Sequence, residues 1–308
     1  MTNMLHIYLN SEDPEFNFVA EDFREFSNVH PSIELKFLST EAELLNSLPE
    51  ITWLDTWYFD SNWFDLAPQL RYIFTPAAGR ENLAVDNTGK VTNFHGTFHG
   101  TMMAESALTL VLQFSLKLPQ YKSQQQAQIW QRLPARLLRN QTALILGYGH
   151  IGKQTGALLT NMGMTVWGHQ RQPTQEKDGA VMLIPQSKLD TYLPLADHIL
   201  SFLPGGEATH HFISEERLNL MSPQAFLYNF GRGNTIDEDA LLRALESNAL
   251  AGAGLDVTEI EPLPAESGLW SHPRVVLLPH ASSYFREYRA LHVTELTKLA
   301  TNRLNQPR

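Results

Sequence analysis

The chain has 308 residues, 43% of them hydrophobic and 18% charged, which is room for two domains and ordinary for a folded protein, so disorder and fibrous architectures are set aside. A formal charge of −10 disfavours nucleic acid or an anionic membrane as the main partner. The absence of cysteine removes disulfides, thiolate zinc sites and cysteine nucleophiles together. No run of about 18 apolar residues occurs, and "MTNMLHIYLN" has no basic region followed by an apolar stretch, so a cytoplasmic protein with no membrane partner is expected.

In residues 1–100, "MLHIYL", "IELKFL", "ITWL" and "RYIFT" read as strands separated by polar helical stretches such as "TEAELLNSL". Strands alternating with helices imply parallel pairing, because the crossover between parallel strands needs about a dozen residues and a helix supplies them. Residues 101–121, "TMMAESALTLVLQFSLKLPQY", are apolar on most faces and predict one largely buried helix at a domain junction. A second alternation begins at Thr142, with "TALILG", "MTVWG", "DHILSFLP", "AFLYNFG", "GAGLDV" and "RVVLLP" as strands. Between them, "TIDEDALLRALESN" predicts a helix with Asp237 as N-cap and Glu238 and Asp239 at its positive end. Residues 285–305 read as a last amphipathic helix, and no repeat or long linker intervenes. Two domains packed around a cleft are expected.

The segment "TALILGYGHIG" places Gly147, Gly149 and Gly152 in a GxGxxG pattern between a strand and the helical "KQTGALLTNMG". The first glycine permits a tight turn, the second lets backbone approach a pyrophosphate, and the third lets helix pack on strand. The loop, with Tyr148, His150 and Ile151 at its remaining positions, is therefore a candidate dinucleotide-binding element whose helix N-terminus receives the pyrophosphate. Beyond the second strand, in "VWGHQRQP", an acid is expected to meet the adenine ribose, but Gln170 stands there and Arg171 follows. A carboxylate would repel a 2′-phosphate, whereas a guanidinium pairs with one, so NADP(H) is the preferred cofactor and NAD(H) the alternative. The competing reading of Arg171 is a solvated surface residue.

Three further segments each carry chemistry at a strand end. "NFGRGNTIDEDAL" sets Arg232 between glycines, "GLDVTEIEPLP" supplies Asp256 and Glu261, and "LLPHASS" supplies His280. In an open α/β sheet, ligands bind outside the carboxyl ends of the strands, where these residues would converge. In "TPAAGREN", residues 75–82, a strand end followed by small residues allows consecutive N–H groups to form an anion site.

The order GxGxxG, "GRG", "LDVxxxEPLP" and "PH" resembles the D-isomer-specific 2-hydroxyacid dehydrogenase family over nearly the whole chain. The run "EPLPAESGLWSHPRV" is most similar to its glyoxylate/hydroxypyruvate reductase branch. The resemblance implies an α/β fold of two doubly wound parallel-sheet domains with the active site in the cleft. Residues 1–100, completed by a C-terminal helix at 284–308, would be a flavodoxin-like substrate-binding domain, and residues 101–283 a Rossmann cofactor domain. It implies His280 as general acid, Glu261 as the group that orients the imidazole and favours its charged form, and Arg232 as the residue that binds substrate carboxylate and carbonyl oxygen. Asp256 would lie near the nicotinamide carboxamide, and Ala77, Ala78 and Gly79 would hold the substrate carboxylate.

The expected activity is reduction of a small 2-oxo acid to the D-2-hydroxy acid with NADPH, by a homodimer formed through the cofactor domain. Two rivals share the fold: a dinucleotide-sensing, corepressor-like binding protein, and a dehydrogenase with another donor such as phosphite. Formate is disfavoured, because Pro279 precedes His280 where formate dehydrogenases of the family carry Gln. The family form of the substrate loop continues with Val-Asp where this chain has Arg80 and Glu81; Arg80 is either a second cationic contact or a surface salt bridge. No metal is expected: His95 and His99, four apart in "HGTFH", fit a loop better than a metal-binding helix. His210 and His211 read as solvated on a polar connector, and Trp130 as packing at a dimer interface.

Overall fold

The central strands, such as "ALIL" and "AFLY", are near-continuous apolar runs, and because successive side chains point to opposite faces of a sheet, both faces need covering. The computed structural model, which describes residues 3–304, meets that need twice. Residues 3–99 with 284–304 form one compact unit and Gly100–Ser283 the other.

In the first unit, strands β1 (Asn3–Tyr8), β2 (Ile33–Phe37), β3 (Trp53–Thr56), β4 (Tyr72–Thr75) and β5 (Thr92–His95) form a wholly parallel sheet in the order β2-β1-β3-β4-β5. That order is the flavodoxin-like one. Helices α1 (Arg24–Val29) and α2 (Glu41–Ser47) belong to the crossovers, and Thr40 caps α2 by accepting from Glu43 N at 3.2 Å. Leu44, Leu48, Leu54, Phe59 and Ile73 fill one core of the unit. The C-terminal helix, Tyr288–Leu304, contributes Tyr288, Val293 and Leu296 to the buried interior and is tied to β3 by a 2.8 Å bond between buried His292 and Asp55. The predicted span of this last helix starts three residues earlier, and its residue 305 lies outside the described residues. Strand β5, four mostly polar residues at the sheet edge, is an addition to the expected strands.

The second unit opens with α3 (His99–Ser115) and α4 (Leu118–Gln126), so the single predicted helix is two. Pro119 explains the break: it has no N–H for the Ser115 carbonyl, and its ring would clash with it. Lys117 turns left-handed at φ 62°, and Ser115 O accepts instead from Arg136 N at 3.2 Å.

The sheet of this unit comprises β6 (Thr142–Leu146), β7 (Thr165–Gln170), β8 (Lys177–Asp178), β9 (Val181–Pro185), β10 (His198–Ser201), β11 (Phe226–Asn229), β12 (Gly252–Leu255) and β13 (Val275–Leu277). Its order is β13-β12-β11-β10-β6-β7-β9-β8, parallel except for the β8–β9 edge hairpin, which was not anticipated. Ala143 and Ile145 join Leu110, Phe114 and Tyr228 in the core on one face, while Leu144 and Leu146 join Leu227, Leu241 and Leu255 on the other. Between β6 and β10 the chain reverses its direction of progress across the sheet, which is where ligands bind in doubly wound folds. No helix among the described residues is long and apolar enough to cross a membrane.

Candidate active site

The turn from β6 into α5 (His150–Asn161) shows why its glycines stand where they do. Gly147 adopts φ 80°, and a Cβ there would lie 2.8 Å from Phe202 O. A Cβ at Gly152 would lie 2.7 Å from Gly147 O, so helix and loop could not close. Gly149 caps the helix and faces open space. The N–H groups of His150, Ile151 and Gly152, the first turn of α5, thus stand at a bare backbone edge that suits an anion, while Lys153 N already donates to Gly149 O at 2.9 Å. Tyr148 has its ring buried against Gly156 and Gly168, where a Cβ would come within 2.9 and 2.5 Å of the ring, and burial pushes its hydroxyl up to about 12. The side chain of Ile151 packs on the core, and Gln154 Nε2 donates to His150 Nε2 at 3.0 Å.

A groove of about 850 Å³ runs from this loop past the end of β7 to the connector after β10. Gln170 lines it and donates through Nε2 to Tyr148 O at 2.9 Å, so it braces the glycine loop. Arg171 also lines it and is exposed, with no hydrogen bond or ion pair from its guanidinium among the described residues. The other groove arginine, Arg217, is held by Asp190 at 3.0 Å and Phe212 O at 2.6 Å. The far wall comprises Pro204, His210, His211 and Phe212; the two histidines, expected to be solvated on a polar connector, instead line the groove, with Nε2 of His211 closed to solvent.

Beyond β12, Asp256 is buried at 2% exposure. Its Oδ1 accepts from Ala281 N at 2.7 Å and Ser282 N at 3.0 Å, and its carbonyl accepts from His280 N at 2.8 Å. Burial raises the Asp256 carboxyl above the usual range, opposed by those hydrogen bonds and by His280. The bonds hold His280 in a left-handed conformation, φ 51°, which aims its ring at the turn after Asp256. There, the Nδ1–H of His280 donates to Glu261 Oε2 at 2.8 Å, and Glu261 Oε1 accepts from Thr258 N at 3.1 Å. Asp256, Glu261 and His280 line one cavity of about 540 Å³, with Leu263 and Trp270 on its apolar side.

Arg232 begins the turn after β11, half-buried, with its Nη1 donating to Gly231 O at 2.9 Å. Its loop abuts the Glu261 turn: a Cβ at Gly233 would lie 1.9 Å from Thr258 backbone. Strand ends thus gather Arg232, Asp256, Glu261 and His280 on one side of the sheet order and the glycine loop with Gln170 and Arg171 on the other.

In the first unit, Ala77, Ala78 and Gly79 follow β4. Ala77 N donates to Thr75 Oγ1 at 3.3 Å, and Ala77 O accepts from Gly96 N at 3.0 Å. Two supports of this loop escaped sequence reading: His95 Nδ1–H donates to Gly79 O at 3.1 Å, and Tyr288 OH donates to Pro76 O at 3.2 Å. His95 ends a strand and His99 begins a helix, so the pair does not share a helical face.

The second unit fits a dinucleotide. It offers an uncluttered glycine edge, an unpaired arginine along the groove, and a buried acceptor, Asp256 Oδ2, that has no hydrogen-bond partner among the described residues.

Residues 108–282 match the family profile of the D-isomer specific 2-hydroxyacid dehydrogenase NAD binding domain. The glyoxylate/hydroxypyruvate reductase A of Serratia proteamaculans (strain 568) is 33% identical over 218 residues, covering 71% of this chain and 66% of that protein. The glyoxylate reductase of Korarchaeum cryptofilum (strain OPF8) is 30% identical over 304 residues, 92% of this chain and 88% of that one. Among solved structures, the NADPH-dependent glyoxylate/hydroxypyruvate reductase of Sinorhizobium meliloti, in complex with NADP and sulfate, superposes with a TM-score of 0.80 at 25% identity, covering 99% of this chain and 96% of that one. With more than half of its length under the family profile and the doubly wound sheet that goes with it, the chain belongs to the D-isomer specific 2-hydroxyacid dehydrogenases, oxidoreductases that use a nicotinamide dinucleotide.

Proposed function

We propose that the protein reduces a small 2-oxo acid of the glyoxylate or hydroxypyruvate type to the D-2-hydroxy acid, with NADPH preferred over NADH. The observation that carries the reading is the His280–Glu261 pair at 2.8 Å beside the orphaned Asp256 carboxylate oxygen. The activities of the Serratia, Korarchaeum and Sinorhizobium relatives support the substrate class, and the NADP complex of the last supports the cofactor.

The bound cofactor supplies the hydride. Glu261 fixes the imidazole through Nδ1 and leaves Nε2 of His280 to deliver a proton to the substrate carbonyl oxygen, or to remove one in reverse. Arg232 binds the carboxylate and the carbonyl oxygen and stabilises the charge that builds there. The loop of Ala77, Ala78 and Gly79 would hold the carboxylate through the backbone N–H groups of Ala78 and Gly79, that of Ala77 being turned to Thr75 Oγ1. Asp256, with its Oδ2 unpartnered among the described residues, would help hold the carboxamide of the cofactor, and the backbone from Gly147 to Gly152 would hold its pyrophosphate. Arg171 would pair with a 2′-phosphate, and Gln170 would leave that position without a repelling charge.

On this reading Gly100–Ser283 is the dinucleotide-binding domain, and residues 1–99 with 284–308 are the substrate-binding domain. We infer a homodimer formed through the former. Trp130 is 99% exposed, with exposed Ile129 and Leu137 nearby in sequence, and two hydrogen bonds between Tyr121 OH and the Leu133 backbone hold that segment in place. A cytoplasmic setting agrees with a chain that has no cysteine to oxidise.

The test is a matrix of NADH and NADPH against glyoxylate, hydroxypyruvate, pyruvate and bulkier 2-oxo acids, scored as kcat/KM for wild type and Arg171→Ala. Small 2-oxo acids should turn over best with NADPH. In the variant, KM for NADPH should rise roughly 10- to 100-fold and KM for NADH little, the scale of a charge-assisted hydrogen bond. Tight dinucleotide binding with no turnover across the matrix would instead favour a sensing role, and equal losses for both cofactors would return Arg171 to the surface.

A further inference from the structure

Away from the His280–Glu261 pair, two histidines and a carboxylate converge. The connector after β10 is pinned by Thr209 Oγ1, which donates to Pro204 O at 2.6 Å, and by His211 N, which donates to Asn234 O at 2.8 Å. His211 takes a left-handed backbone, φ 45°, and its ring lies against that of His210 with centroids 4.0 Å apart. A left-handed residue breaks the alternation that would send neighbouring side chains to opposite sides. Both imidazoles therefore sit together.

The third member comes from 48 residues further along, on the turn after β12. Glu259 Oε1 stands 3.5 Å from His211 Nε2, a nitrogen closed to solvent with no hydrogen bond among the described residues. Glu259 is itself held, its N–H donating to Glu238 Oε1 at 2.6 Å. One donor atom from each of His210, His211 and Glu259 can be chosen so that all lie within 4.8 Å of one another. Bonds of about 2.0–2.2 Å to a shared cation bring donors to about 4 Å or less, so adjustment of exposed side chains by under about 1 Å closes the set.

We propose that His210, His211 and Glu259 bind one divalent transition-metal ion of the zinc class, which ties the connector after β10 to the turn after β12. The donor set selects the ion: imidazole nitrogen suits Zn²⁺, Co²⁺, Ni²⁺ and Cu²⁺, whereas Mg²⁺ and Ca²⁺ require oxygen. Three protein ligands leave a fourth position for water. His210 and His211 also line the groove, so the ion would sit at its margin, and filling the site needs neither dinucleotide nor 2-oxo acid.

The experiment uses tag-free, chelator-stripped protein titrated with Co²⁺, followed by its visible absorption, and with Zn²⁺, followed by calorimetry. The expected result is one ion per chain at micromolar affinity, bands characteristic of tetrahedral Co²⁺ displaced by Zn²⁺, and a rise in Tm with Zn²⁺. His211→Ala and Glu259→Gln should each weaken binding at least tenfold and abolish the Tm rise, with far-UV circular dichroism confirming that both variants fold. Absence of saturable binding below millimolar metal, or binding unchanged in both variants, overturns the proposal. Because neither readout involves turnover, it stands or falls independently of the reductase reading.

Discussion

His280 is held by its neighbours more than by its own preferences. Its backbone N–H binds Asp256 O, the next two N–H groups bind Asp256 Oδ1, and φ lies at 51°, a conformation that costs a non-glycine residue free energy unless such bonds secure it. His280→Gln should therefore lower kcat by about 10²- to 10⁴-fold, the usual weight of a general acid, while the dissociation constant for NADPH measured by fluorescence stays within about twofold. Unchanged turnover would remove His280 from the mechanism. Arg171 and Gln170, adjacent in sequence, part company in space. The glutamine is spent on Tyr148 O, and only the arginine is unpaired along the groove. The sequence marks this as the place where the adenine ribose is expected, but not that one of the two residues braces the loop.

At the scale of elements, β10 and β11 carry a buried polar relay that links helix and sheet. His198 accepts at Nδ1 from Tyr228 OH at 2.9 Å and donates through Nε2 to Gln141 Oε1 at 2.8 Å, while Gln141 Nε2 donates to Ser115 Oγ at 3.2 Å. The neutral ring thus satisfies both nitrogens, and burial pushes its pKa down to about 4. Since the unfolded chain titrates this histidine near 6.5, it takes up a proton that the folded state refuses as pH falls. Stability is complete above about 6.5 and is lost progressively toward about 4, by up to about 3 kcal/mol. Urea midpoints measured from pH 7 to pH 4 should fall accordingly, and His198→Gln should flatten that fall; an equal slope in the variant would assign the effect to other groups. The break between α3 and α4 is of the same scale: Pro119 was visible in the sequence, but the uniformly apolar run on either side concealed that it ended one helix and began another.

For the whole molecule, strand order is what turns separate segments into a site. Counting only the parallel strands of the second unit, β6, β7, β9, β10, β11, β12 and β13 stand in the order 3-2-1-4-5-6-7, which sets the glycine loop at the reversal point and the Arg232, Asp256 and His280 segments on successive strands beyond it. Trp130 poses a question of assembly at this scale, because a fully exposed indole on an anchored segment is costly in water. Trp130→Glu should shift light-scattering mass from dimer to monomer at micromolar concentration with kcat/KM measured alongside; a wild-type chain that is already monomeric would end the dimer reading. The amino-acid sequence alone was enough for the alternating strands, the GxGxxG turn, the Asp237 cap and the four strand-end residues, because these depend on residue chemistry over a few positions and on the side-chain period of two. Only the tertiary structure decided that polar β5 joins a sheet edge, that His95 and Tyr288 support the Ala77 loop, and that His211 lies beside Glu259. Those pairings join residues 16 to 212 positions apart, and no local propensity encodes which distant backbone a polar side chain will meet.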